Sequence, residues 1–235
     1  MAAVPDGRPL APGAMLRRLR ADPVLAPVLA HVEVAMRTDA AHDLGHLLRV
    51  AAWTEFLLDD PTASASALAA ALLHDLVNVP KSDAARGSAS ERSADAARAL
   101  LTAQRWQAVE VERITDAIRQ HSWSRGEAAT SPLAVALRDA DRLEALGVIG
   151  TFRCISTGVG FGSPYVDLDD PWAERRSLDD RRFSIDHFFV KLLGLVDGLV
   201  HPRARDEGAR RVAAMRALLA SLGEEIGTPM PPPPG

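Results

Sequence analysis

Apolar residues recur at helical spacing along most of the chain. Leu44, Leu47, Leu48, Ala51 and Phe56 are among them, and the run stops at Asp59-Asp60-Pro61. An alanine- and leucine-rich stretch over residues 64–73 follows, so two neighbouring helices are predicted. Residues 76–89 contain Asn78, Pro80, Ser82, Gly87 and Ser88, a loop composition. Helical pattern resumes over 90–101 and again over 106–121. Ser131-Pro132 is an N-cap and first-turn pair, which predicts a helix carrying residues 138–147. Gly158, Gly160, Gly162, Pro164 and Pro171 make 156–182 a long irregular loop, and two helices, 183–200 and 203–222, close the pattern. Residues 1–12 read as a flexible arm and 224–235, with four consecutive prolines, as a disordered tail. The expectation is an all-α, single-domain helical bundle over 13–223.

Composition supports this picture. In a chain of 235 residues, 47% hydrophobic and 25% charged content is ordinary for a globular protein, and richness in Ala, Leu and Arg favours helix over sheet. A net charge of -4 without a basic block argues against a duplex nucleic acid partner, but leaves room for a small anionic substrate. The single cysteine, Cys154, excludes an intramolecular disulfide and any cysteine-based metal site, and fits a reducing compartment. The first twenty residues hold Pro5, Pro9, Pro12, Arg17, Arg18 and Arg20 without the apolar run of a signal peptide. No stretch approaches the ~18 apolar residues of a membrane span. A cytoplasmic protein without a membrane partner is expected.

Three blocks carry candidate chemistry: His42-Asp43-x-x-His46-x-x-Arg49-Val50, then His74-Asp75, then Asp139-Ala140-Asp141-Arg142-Leu143-Glu144-Ala145. Imidazole and carboxylate together suit a divalent first-row metal. His42 and His46 are four apart and face one way on a helix, while His74 ends an apolar run. Two imidazoles and two carboxylates leave coordination positions open, as in a catalytic rather than a closed structural site. Asp139 and Asp141 point about 200 degrees apart on a helix, so only one of them faces such a metal directly.

The order of these blocks resembles the HD-domain superfamily of metal-dependent phosphohydrolases, whose pattern is an H-x-x-R-V helix, a later His-Asp pair and a distant A-D-x-L-x-A helix. It is most similar to the small single-domain bacterial branch that begins H-D-x-x-H-x-x-R-V, over roughly residues 35–200. The resemblance implies an all-α fold, a divalent ion (Mn²⁺, Mg²⁺ or Fe²⁺) and a small phosphorylated substrate, with nucleotides the leading class. It assigns the metal ligands to His46, His74, Asp75 and Asp141, and leaves Asp139 as a supporting or capping group. It also extends to His121-Ser-Trp-Ser and to Gly147-Val-Ile-Gly150.

Other residues have roles to fill around that centre. His121 and His42 are candidates for moving a proton, His121 falling at a predicted helix end where it could equally bond backbone carbonyls. Lys81 is one of only two lysines among 27 basic residues and lies six positions after Asp75; with Arg86 and Arg125 it could clamp a phosphate. Asn78 stands three residues after Asp75, where several members of the superfamily have a glutamate; an amide can bond a phosphate oxygen but cannot protonate a leaving group. Two other readings stay open at this point: a di-iron oxidative enzyme of the same fold, and a non-catalytic ligand-binding module.

Overall fold

The computed structural model describes residues 8–35, 43–77, 89–121 and 128–232. Among them there is no strand. Ten α-helices joined by turns and short 3-10 segments form the regular structure, so the chain is all-α. Contacts gather into two compact units that divide between Asp141 and Arg142.

The first unit contains α1 (Pro12–Ala21), α2 (Ala26–Ala35), α3 (Leu44–Leu58), α4 (Ser64–Leu73), α5 (Ala89–Ala103), α6 (Ala108–Gln120) and most of α7 (Pro132–Leu143). Its centre is α4, on which α2, α3, α5 and α6 all pack. Every residue from Ser66 to Leu73 is buried. Alanine at Ala65, Ala67, Ala69, Ala70 and Ala71 favours helix intrinsically and lets neighbouring helices approach closely, because contact side chains set the interaxial distance. Leu68, Leu72 and Leu73 are fully buried, and truncating such a leucine to alanine costs about 2–5 kcal/mol.

Local chemistry sets the helix ends. The Asp43 carboxylate accepts from the His46 backbone N–H at 2.8 Å and caps α3. The same helix closes on Asp59 at φ +49, a left-handed geometry that aspartate tolerates. Ser131 Oγ accepts from the Ala134 N–H at 3.1 Å, so α7 begins at the Ser131-Pro132 pair.

The second unit contains α8 (Gly147–Gly160), α9 (Asp186–Val190), a 3-10 segment Leu192–Gly198 and α10 (Pro202–Glu225). Here the structure departs from the periodicity in three places. The helix expected over 183–200 is a five-residue helix and a 3-10 segment, broken at Lys191 (φ -138, ψ -56) and weakened for α-helix by Gly194 and Gly198. The irregular stretch begins only after Gly160, and it is anchored. Asp170 accepts the backbone N–H groups of Glu174, Arg175 and Arg176 at 2.8–3.0 Å, while Arg176 forms a bidentate pair with buried Asp186. Finally, α10 runs to Glu225 and the Trp172 indole N–H donates to Thr228 O at 2.7 Å, so residues 224–228 dock within their unit. Hydrophobic periodicity missed this because the anchor is a backbone carbonyl.

The last carbonyls of α7 are satisfied by cations. Arg211 Nη1 donates to Leu143 O at 2.5 Å and Arg153 Nη1 to Glu144 O at 3.1 Å. Gly147 follows at φ +72, and a Cβ there would lie 3.1 Å from Arg211 Cγ. Gly150 is tighter still: its Cβ would come within 2.2 Å of Ala145 O, a backbone atom that cannot swing aside. Gly150→Ala is therefore expected to destabilise the fold by about 1–3 kcal/mol, the usual cost of overpacking. Denaturant unfolding measures this, and an unchanged midpoint would contradict the close approach.

Candidate metal centre

Four segments of the first unit bring three histidines and two aspartates to one place. His46 lies in the first turn of α3 and is 1% exposed. His74 ends α4 as its C-cap and is completely buried, with Asp75 immediately after it. His121 ends α6 in the same way and is buried. Asp141 sits in the last turn of α7. Asp75 Oδ2 lies 3.4 Å from His74 Nε2, and Asp141 Oδ1 lies 3.8 Å from His74 Nε2 and 3.7 Å from His46 Nε2. His121 Nε2 is 3.7 Å from Asp75 Oδ1. The His74 ring stands 5.5 Å from that of His46 and 5.0 Å from that of His121, edge-on to both.

Burial is graded across the cluster. The His46 and His74 side chains are at most 1% exposed, whereas those of Asp75 and Asp141 are 41% and 31% exposed. The imidazoles thus form the floor, and the carboxylates stand at the side open to solvent. His74 is held rigidly, because its Nδ1 donates to Ala71 O at 2.8 Å. A carbonyl only accepts, so this bond assigns the hydrogen to Nδ1 and turns Nε2 toward the carboxylates.

The donor set fits a cation. His74 Nε2 is buried and makes no hydrogen bond, although two carboxylates flank it. One ligand atom each from His46, His74 and Asp75 lie within 4.8 Å of one another, and so do one each from His74, His121 and Asp141. Imidazole nitrogen with carboxylate oxygen is the ligand chemistry of divalent first-row ions. The same two carboxylates also favour a proton on the ring. Burial lowers the pKa of His74, but Asp75 and Asp141 outweigh it and push the value up to about 9. Burial would likewise raise both carboxylates, yet the surrounding imidazoles, His74 foremost, hold Asp75 and Asp141 below the usual carboxylate range.

Of the residues singled out in the sequence, His46, His74, Asp75, Asp141 and His121 come together here. Asp139 is fully buried and belongs to neither group of ligand atoms. His42, Asn78, Lys81, Arg86 and Arg125 lie outside the described residues. The sequence pattern offered His121 as a proton carrier and did not foresee that it joins the same atoms as His74. A signal was present: like His74, it ends a helical run.

Comparisons with known proteins bear on the family and the fold. Residues 43–146 match the model of the HD domain. The chain is 28% identical over 193 residues to the uncharacterized Bacillus subtilis protein YpgQ, covering 80% of this chain and 85% of that protein. A solved structure from Lactobacillus plantarum aligns with a TM-score of 0.67 at 25% identity, over 86% of this chain and 95% of the other. The structure of YpgQ in complex with ADP aligns with a TM-score of 0.65 at 24% identity, over 86% and 97% of the two chains. An HD-superfamily hydrolase from Bacillus thuringiensis aligns at 0.63 and 23% identity, over 91% and 98%.

Proposed function

From the match of residues 43–146 to the HD-domain model, we propose that this chain is a metal-dependent phosphohydrolase that cleaves a phosphoanhydride bond of a nucleotide. The observation that carries the reading is the set of imidazole and carboxylate atoms gathered around the buried His74 Nε2. The YpgQ structure with ADP supports a nucleotide as the ligand class.

In this reading His46, His74, Asp75 and Asp141 hold the ion, with Mn²⁺, Mg²⁺ or Fe²⁺ matching their donors. A divalent ion held there supplies Lewis acidity toward a phosphoryl group and an acidified water as nucleophile. The chain's own contribution is preorganisation. His74 cannot rotate while its Nδ1 is bonded to Ala71 O, and His46 is packed in the floor, so the nitrogen donors need no rearrangement. Asp75 and Asp141 stand at the open side, where the substrate phosphates enter. Lys81, Arg86 and Arg125 are the proposed counter-charges for those phosphates, Asn78 a hydrogen-bond donor to them, and His42 a proton carrier. Asp139 supports α7 from the side away from the ion.

The substrate class follows from Asn78. Since this amide cannot protonate a leaving oxygen, a leaving group that needs no proton is favoured. Phosphate or pyrophosphate leaving from an anhydride meets that condition better than an alkoxide leaving from a monoester. The expected result is a kcat/KM for a nucleoside triphosphate at least about tenfold above that for its monophosphate, a difference of about 1.4 kcal/mol in barrier. Steady-state assays of both with added Mn²⁺ measure it, and faster monophosphate hydrolysis would overturn the anhydride assignment.

A further inference from the structure

Building on the metal-dependent reading above, we infer that His121 is a fifth protein ligand of the same ion, bound through Nε2, rather than the proton donor of the reaction. Two histidines that are distant in sequence, His74 and His121, share one local geometry. His74 is the C-cap of α4 (φ -62, ψ -34) and His121 is the C-cap of α6 (φ -71, ψ -30). Each Nδ1 donates to the carbonyl three residues earlier, Ala71 O at 2.8 Å and Ile118 O at 2.6 Å. The same latch therefore fixes both rings and leaves Nε2 of each as the available ligand atom. Histidines that bind metals are held in this way, their second nitrogen donating to a backbone carbonyl or a carboxylate.

Position completes the likeness. The two rings stand 5.0 Å apart, and His121 Nε2 faces Asp75 Oδ1 at 3.7 Å. Together with one atom each from His74 and Asp141 it makes a group within 4.8 Å. His121 is only 8% exposed, little more than the two histidines of the floor. A proton donor has to offer an N–H to the departing oxygen. Nδ1–H is committed to Ile118 O, and Nε2 lies among the ligand atoms, where a proton and a divalent ion would contend for the same space.

The test uses the full chain stripped of metal. Mn²⁺ affinity and stoichiometry are measured by titration calorimetry, and coordination by the visible spectrum of the Co²⁺-loaded protein. His121→Ala is expected to weaken Mn²⁺ binding by more than about a hundredfold, beyond the ten- to hundredfold that loss of a supporting partner costs. It should also change the Co²⁺ spectrum, with added imidazole restoring it. The melting temperature of each metal-free variant reports folding, and His121→Gln replaces His121→Ala if the latter does not fold. Wild-type Mn²⁺ affinity and an unchanged Co²⁺ spectrum in a variant that has lost turnover would overturn the inference and return His121 to proton transfer. Two ions per chain would overturn the single centre. If His74→Ala also kept wild-type affinity, the failure would lie with the metal-dependent reading itself.

Discussion

His74→Ala is expected to abolish turnover and to remove most of the metal affinity. No other residue is expected to have so large an effect, because His74 alone belongs to both groups of ligand atoms and faces both carboxylates. Its loss also empties the floor of the site between His46 and His121 and leaves Asp75 and Asp141 without the cation that stabilises their charge. The expected loss of affinity exceeds the ten- to hundredfold typical of an outer partner. Equilibrium binding of Mn²⁺ with parallel rate measurements checks it. Residual turnover above the buffer rate, with metal still bound, would place the centre elsewhere.

Chelation is expected to stop hydrolysis completely, reversibly on return of the ion, and to leave a protein whose stability falls as pH rises. His74 in the metal-free fold titrates near 9 instead of near 6.5, so the protonated ring contributes stability that is whole below about pH 6.5 and is lost as pH climbs toward 9. Asp75 and Asp141 work in the opposite sense. Their values are depressed, so their contribution is present above the ordinary carboxylate range and is lost as pH falls below it. The metal-free melting temperature should therefore decline between pH 6.5 and 9. The loaded protein should show no such decline, since the ion displaces the proton. Below pH 9 each binding event should release a proton, measurable by calorimetry in buffers of different ionisation enthalpy. A melting temperature that rises across this window would contradict the pairing of His74 with its two carboxylates.

Much of this fold was legible in periodicity. The run of small and apolar residues gave α4 its limits at Ser64 and Leu73, and Ser131-Pro132 gave the start of α7, because both signals are local. The 3-10 segment at Leu192–Gly198 was not legible: its leucines and valine keep helical spacing, and only the two glycines betray the weaker geometry. The anchors at Asp170 and Asp186 were equally hidden, because a buried carboxylate is recognised by its donors and those are set by the path of the loop. At the site, spacing within each block could be read, but not the meeting of blocks. His74 and His121 come together because α4 and α6 pack, and nothing near either histidine in sequence records that.

That packing has an electrostatic consequence. Both helices direct their C-terminal ends at the cluster, where the aligned peptide dipoles leave partial negative charge. The last turn of α7 also reaches the site through Asp141, while α3 presents its N-terminus there, an end that the Asp43 carboxylate already covers. Backbone and side chains thus act together, and the field at the cluster favours a cation over an anion. Were a divalent ion and a phosphate ligand both to bind there, the directions in which the helices run would favour the ion first, because its charge reverses the local field.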